Sequence, residues 1–177
     1  MTFEHQHTHV HRQVAHGTSA PTLADPAGAT VEFLTLPEDS GDSFTIMRGV
    51  LAPGAVVPLH SHDECEAFFI LKGSQNVLTQ GADGLEWSEF HAGDYVNVPP
   101  GTLHAHRNTG DEPAVDLIVT TPRMARFFQE ITTPAGDGPE PPTPEDLARL
   151  AAAATRYGWR LGTPEENQAL GIELPTF

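Results

Sequence analysis

Short strand-length segments separated by turn-forming residues dominate the middle of the chain. Between Ala29 and Thr121, segments rich in Val, Ile, Phe and Thr alternate with clusters of Gly, Pro, Asp and Asn. The segments are residues 31–36, 44–51, 67–71, 76–79, 95–98 and 114–121. Many short strands with turn signals about 8–12 residues apart are typical of a β-sandwich or β-barrel. The sequence therefore predicts an all-β domain over residues 29–121.

The residues before this domain have no apolar periodicity. Residues 1–28 instead carry histidines at alternate positions, which are His5, His7, His9 and His11. We expect an exposed N-terminal arm, ordered only where it pairs with a sheet edge or a neighbouring subunit. Its histidines are either solvated or able to scavenge and deliver metal.

The residues after the domain, 122–177, predict short helices joined by a Pro-rich linker. Residues 122–131 predict a short amphipathic helix. Thr143, followed by Pro144 and two acidic residues, predicts the start of a second helix, which ends at Gly158. We expect this helical extension to pack against the outside of the barrel.

The charge balance and the single cysteine exclude several classes of protein. The 177 residues hold 9 Lys and Arg against 24 Asp and Glu, a net charge of −15, which disfavours nucleic acid and anionic membranes as partners. Cys65 is the one cysteine, so no intrachain disulfide is expected. Because we find neither an apolar run of about 18 residues nor a leader pattern, we expect a cytoplasmic protein.

Two segments that each begin with a glycine hold the residues able to carry chemistry. In the first, Gly54 precedes His60, His62 and Glu66. On a strand, the imidazoles of His60 and His62 leave the same face, because they are two residues apart. Glu66 begins an apolar strand, where a carboxylate is costly unless it is paired or bound to metal.

The second segment runs from Gly93 through a Pro-Pro-Gly turn to His104, with His106 and Asn108 on the same face as His104. Three neutral imidazoles and one carboxylate brought together inside a barrel would form a site for a first-row divalent metal ion. About two coordination positions would stay open if the ion were octahedral.

Both segments resemble the two signature motifs of the cupin superfamily at every defining position, over residues 54–108. This resemblance implies a jelly-roll barrel of six to eight strands with His60, His62, Glu66 and His104 as metal ligands. It also implies one divalent transition metal ion (Fe, Mn, Ni, Co, Cu or Zn) and a tendency to form dimers. The layout after the barrel loosely resembles that of small bacterial quercetin dioxygenase-like cupins.

Three further residues near the predicted strands are candidates for the substrate pocket. Phe68 and Ile70 share a face with Glu66 and would line or back an apolar cavity. Arg48 would grip an anionic substrate if its face of residues 44–51 points inward, but the opposite face is almost as apolar.

His106 has two possible roles. It is either an acid/base group beside the metal or a packed, hydrogen-bonded core residue. Cys65, directly before Glu66, is expected to be inert.

These features predict a metal-dependent enzyme of the dioxygenase type, acting on a small hydroxylated aromatic or keto-enol compound. Glu66 would take a proton from the coordinated substrate, and dioxygen would be the second substrate. Two alternatives remain open, which are a lyase or isomerase that consumes no oxygen and a non-catalytic module that binds a small ligand. Because the edge strands of the barrel need covering, we expect a homodimer.

Overall fold

A computed structural model describes residues 22–81, 84–136 and 141–174 of the chain. It contains twelve strands in these ranges, numbered in chain order: β1 Leu23–Ala24, β2 Thr30–Thr35, β3 Thr45–Leu51, β4 Val56–Ser61, β5 Glu66–Lys72, β6 Ser74–Gly81, β7 Gly84–His91, β8 Tyr95–Val98, β9 His104–Arg107, β10 Ala114–Thr120, β11 Thr133–Pro134 and β12 Arg160–Leu161. The helices are α1 Pro122–Ile131, α2 Pro144–Tyr157 and α3 Pro164–Ala169, with a 3-10 turn at Pro37–Ser40.

The strands form two antiparallel sheets. One sheet has the strand order β11-β1-β2-β3-β10-β5-β8, and the other has the order β12-β4-β9-β6-β7. Their inner faces pack together as a jelly-roll barrel, which confirms the predicted all-β fold class. No helix in the described ranges is both long and apolar enough to cross a membrane.

The period-two alternation of the strands arranges the inward side chains in three rows. The register places Glu66 on β5 opposite Thr120 on β10, and Asp116 on β10 opposite Gly49 on β3. All residues of the three rows are buried. The upper row consists of Thr45, Glu66, His104 and Thr120, and the middle row of Met47, Phe68, Val77, His106 and Ile118. The lower row consists of Gly49, Ile70, Gln75 and Asp116.

The helices α1 and α2 begin and end at the predicted residues, whereas α3 was not predicted, and α1 does not pack where we expected. Thr143 forms a capping box with Asp146 at the start of α2, and Gly158 ends this helix in the left-handed conformation with φ of 70°. However, Phe127 and Phe128 of α1 are buried and line a cavity of the barrel. The extension therefore forms a wall of the interior, because its apolar face covers apolar surface that the short strands leave open.

The described end of the N-terminal arm is ordered by pairing with a sheet edge, one of the two conditions that the sequence analysis gave for its order. β1 pairs with both β2 and β11, so Leu23 and Ala24 extend the edge of the first sheet. Residues 25–28, which follow, line the same cavity as α1. The arm histidines His5, His7, His9 and His11 lie outside the described residues.

Candidate metal centre and adjoining cavity

Three buried histidines converge on one point at the upper end of the barrel. His60 ends the inward face of β4, His62 directly follows this strand, and His104 begins β9. The antiparallel pairing of β4 with β9 sets His60 opposite His104, with ring centroids 4.1 Å apart. One potential ligand atom from each histidine lies within 4.8 Å of the others. This trio can hold a metal ion.

Backbone carbonyl groups fix the orientation of each of these imidazoles. The Nδ1 atoms of His60, His62 and His104 lie within hydrogen-bond distance of the carbonyl oxygens of Pro58, Glu64 and Thr102, at 2.7, 3.0 and 2.8 Å respectively. When Nδ1–H donates to a carbonyl, the Nε2 lone pair is left for a ligand. Nε2 of His62 and Nε2 of His104 are buried and have no hydrogen-bond partner among the described residues. Buried, unpartnered imidazole nitrogens suit a divalent metal ion.

Glu66 brings a carboxylate to the same centre. Its Oε2 lies 3.3 Å from Nε2 of His62 and 3.7 Å from Nε2 of His104. Burial alone would raise the pKa of Glu66, but the facing imidazoles of His104 and His62 outweigh it and lower this pKa below its usual range. The carboxylate is therefore ionised at neutral pH, as a metal ligand or a proton acceptor must be.

Two of the buried histidines here, His60 and His106, are neutral. Burial, together with the neighbouring His104, lowers the pKa of His60 well below its ordinary value. The same two causes lower the pKa of His106 to about 3. Neutral imidazole is the form that binds metal.

His106 lies inward beside Phe68, with ring centroids 4.6 Å apart. Both of its ring nitrogens lack a hydrogen-bond partner within the described part of the chain. The hydrogen-bonded core role that the sequence left open is therefore not observed.

A cavity of about 430 Å³ adjoins the metal centre. This volume lies within the range of small-molecule binding sites. Its aromatic lining comes from Phe68 on β5, from two residues of α1 and from the segment after α2, and comprises Phe68, Phe127, Phe128 and Trp159. Its charged lining groups in the described ranges are acidic (Asp25, Glu66, Asp116 and Glu173), and no Lys or Arg of these ranges lines it.

Of the three predicted pocket residues, Phe68 lines the cavity, whereas Arg48 and Ile70 do not. Arg48 lies on the outward face of β3, where its Nη2 is 2.7 Å from Oε2 of Glu32 and 42% of its side chain is exposed. It cannot contact a ligand inside the barrel. Ile70 shares the inward face with Phe68 but is fully buried in the core and does not line the cavity. Cys65 is exposed.

Gln75, Asp116 and Trp159 are among the polar and aromatic residues of the cavity that sequence reasoning missed. The alternation in residues 114–120 contains the signal for Asp116, since Asp116 is in step with the inward Ile118. Trp159 follows a helix whose position over the barrel depends on tertiary packing, so no local pattern could have found it.

Comparison with known proteins agrees with this fold. The family model described as "Cupin domain" matches residues 41–120. The chain is 32% identical over 105 residues to glucose-6-phosphate isomerase of Thermococcus onnurineus. This alignment covers 54% of the chain and 55% of the relative. It is 28% identical over 122 residues to quercetin 2,3-dioxygenase of Bacillus subtilis, and this alignment covers 65% of the present chain and 35% of the relative.

The chain thus spans about half the length, or less, of these two curated relatives. Among solved structures, the polyketide cyclase RemF of Streptomyces resistomycificus superposes with a TM-score of 0.56 at 17% identity. The superposition covers 80% of this chain and 99% of RemF, and at this identity it shows the fold alone. The barrel, the converging histidines and the matching family model agree in identifying residues 41–120 as a cupin domain.

Proposed function

We propose that this protein is a metal-dependent enzyme of the dioxygenase type, acting on a small hydroxylated aromatic or keto-enol compound. His60, His62, His104 and Glu66 would hold one divalent transition metal ion. The observation that carries the proposal is the convergence of three buried imidazoles beside an aromatic-lined cavity.

The metal ion, Glu66 and the aromatic side chains would have separate roles in this reaction. When bound, the metal ion supplies a Lewis acid that lowers the pKa of a substrate hydroxyl and, if redox-active, a path for electrons to dioxygen. The ionised carboxylate of Glu66 accepts the proton that this hydroxyl loses. Phe68, Phe127 and Trp159 hold a flat apolar ring and exclude water from the reacting groups.

The charge of the cavity argues for an uncharged substrate. Its charged lining groups within the described ranges are four carboxyl groups, with no Lys or Arg to neutralise a phosphate or a second carboxylate. Apart from the metal ion, a phosphorylated sugar would therefore find no cationic side chain among the described lining residues to pair with its phosphate. We do not transfer the activity of the glucose-6-phosphate isomerase relative to this chain for that reason.

A second candidate is a reaction of the same substrate class that consumes no oxygen, such as a lyase or isomerase reaction. Two buried groups favour it, because His106 and Asp116 line the cavity without belonging to the proposed ligand set. Such groups can move protons between carbon and oxygen without any change in oxidation state.

Metal content provides the first test. In full-length protein whose arm histidines His5, His7, His9, His11 and His16 are replaced by Gln, we expect about one metal ion per chain by mass spectrometry. The added substitution His104→Ala should remove most of this metal. His91→Ala is the matched control, because His91 is an exposed histidine of β7 whose side chain is 65% exposed. Equal metal in the two variants would contradict the proposed site.

Oxygen consumption provides the second test. Protein loaded in turn with Fe, Mn, Co, Ni, Cu or Zn is mixed with flavonols and β-diketones in an oxygen electrode, while products are separated by chromatography. Oxygen uptake coupled to product supports the dioxygenase reaction. Product without uptake supports the oxygen-independent candidate, and ligand binding without any product indicates a binding protein.

A further inference from the structure

The end of the cavity away from the metal centre is polar. Asp116 of the lower row lies four residues along β10 from Thr120 of the upper row, so the two rows are about 13 Å apart along the strand. Between them lies the middle row, where Phe68 and Ile118 face each other across paired strands. A ligand that filled this space would have an apolar body with a polar group at each end.

Gln75 and Asp116 form the polar group of the lower row. Nε2 of Gln75 donates a hydrogen bond of 2.9 Å to Oδ2 of Asp116. The two residues are only 2% and 5% exposed, and both line the cavity. Oε1 of Gln75 and Oδ1 of Asp116 have no partner among the described residues. Since a buried acceptor without a donor is costly, these two oxygens are suited to accept a hydrogen bond from a ligand in the cavity.

Gly49 leaves space for the free oxygen of this pair. A Cβ atom at position 49 would lie 2.3 Å from Oδ1 of Asp116, closer than any stable contact. Gly49 belongs to β3 and lies opposite Asp116 in the antiparallel pairing of β3 with β10. The neighbouring strand therefore accommodates the carboxyl group instead of packing a side chain over it.

Burial also changes the ionisation of this carboxyl group. It raises the pKa of Asp116 to about 7, although the hydrogen bond from Gln75 and the nearby backbone N–H of Gly49 act in the opposite direction. An acidic side chain in this state can accept a hydrogen bond when ionised and donate one when neutral. Both behaviours suit a hydroxyl group, which is itself a donor and an acceptor.

We propose that Gln75 and Asp116 form a second binding subsite that takes a hydroxyl group of the substrate at the end remote from the metal. This inference rests on the proposed function, since it assumes that the other end of the substrate lies at the metal. It narrows the substrate class to uncharged compounds of two or three linked rings. Such compounds carry a metal-binding oxygen pair at one end and a hydroxyl at the other.

Anaerobic binding titrations of the metal-loaded full chain test this inference. The probes are a flavonol whose one hydroxyl is the metal-binding group and two flavonols with one added hydroxyl, on the A ring or on the B ring. We expect at least one of the dihydroxylated probes to bind the wild-type protein about tenfold more tightly than the monohydroxylated probe. In Asp116→Asn, whose amide can pair fully with Gln75, this preference should fall to about twofold or less.

Two further variants make the comparison specific. Glu112→Gln removes the same charge from an exposed carboxylate, 69% exposed, and should retain the full preference. Gln75→Met keeps the side-chain length without the amide and should lose the preference for the dihydroxylated probe. This variant also tests the subsite if Asp116→Asn fails to fold.

Each result has a distinct meaning for the subsite. Equal affinity of the wild-type protein for all three probes, or an unchanged preference in folded Asp116→Asn, overturns the subsite and leaves the metal-binding end intact. If the wild-type protein binds none of the probes, the proposed substrate class is wrong and the subsite falls with it.

Discussion

The indole of Trp159 stacks on the imidazole of His60, with ring centroids 5.5 Å apart and an interplanar angle of 11°. The same indole stacks on Phe127 of α1, with centroids 3.8 Å apart and an angle of 18°. A residue of the C-terminal extension is thereby held between a candidate metal ligand and the helix that closes the barrel. The extension is part of the site and not an appendage to it.

Removal of this indole should weaken both the fold and the site. We expect Trp159→Ala to lower the free energy of unfolding by about 2–4 kcal/mol, because the stacks on His60 and Phe127 would be replaced by a cavity. Urea unfolding measures the loss. Trp159→Phe retains one stacked ring and should lose less than half as much. A loss below about 0.5 kcal/mol in Trp159→Ala would show that the extension is not held by this stack.

An ion pair attaches α1 to the loop between the metal ligands. Arg123 donates to the carboxylate of Glu64 and also to the carbonyl oxygen of Tyr157. Glu64 is only 4% exposed, so Arg123→Ala would leave a buried carboxylate oxygen without its partner. We expect a loss of about 1–3 kcal/mol by urea unfolding, less than for a fully buried pair because half of Arg123 is exposed.

Arg126 on the same helix provides the matched control. It pairs with Asp42, and more than half of each of these two side chains is exposed. Because exposed ion pairs contribute little, Arg126→Ala should cost less than about 1 kcal/mol. Similar losses in the two arginine variants would indicate that burial of Glu64 has no special energetic effect.

A methyl group at position 49 should displace the carboxyl group of Asp116. We expect Gly49→Ala to cost about 1–3 kcal/mol, since its Cβ would also lie 3.1 Å from Cδ1 of Ile118. In an Asp116→Ala background the cost should fall by half or more, because the carboxyl group is then absent. A double-mutant cycle by urea unfolding measures this coupling, and a coupling near zero would argue against the close approach.

The fold and the metal-ligand candidates could be predicted because their signals are local. Alternating apolar residues and turn glycines define each strand, and the two-residue spacing of His60 and His62 sets both imidazoles on one face. His104 could be assigned to the same centre because its turn and strand follow the pattern of the cupin motif.

The remaining residues of the site depend on contacts between distant segments. Arg48 could not be assigned to a face, because Phe44, Ile46 and Val50 are as apolar as Met47 and Leu51 on the other side. The carboxylate of Glu32, sixteen positions away on β2, pairs with Arg48 and holds its side chain on the outward face of the sheet.

The placement of α1 could not be predicted for a related reason. An amphipathic helix indicates that one of its faces is buried but not which surface it covers. Only the three-dimensional structure shows that this surface is the open side of the cavity.

Stability should depend on pH through Asp116 in a direction that the structure defines. Burial raises the pKa of Asp116 from 3.8 to about 7 in the folded state. The folded protein then retains a proton that the unfolded chain releases, so the free energy of unfolding falls as pH rises from about 4 to 7. The total decline from this group is on the order of 4 kcal/mol at most. His60 and His106 act in the opposite sense, because their pKa values are lowered.

A comparison of variants isolates the contribution of Asp116 from those of the histidines and of Asp25, whose pKa burial raises to about 6. We expect Asp116→Asn to gain stability relative to the wild-type protein as pH rises from about 4 to 7.5, since an amide has no charge to desolvate. Urea unfolding at several pH values, with chelator present, measures this difference. Glu112→Gln should stay parallel to the wild-type curve because Glu112 is exposed. A constant offset between wild type and Asp116→Asn across this range would mean that the buried carboxyl group does not titrate there.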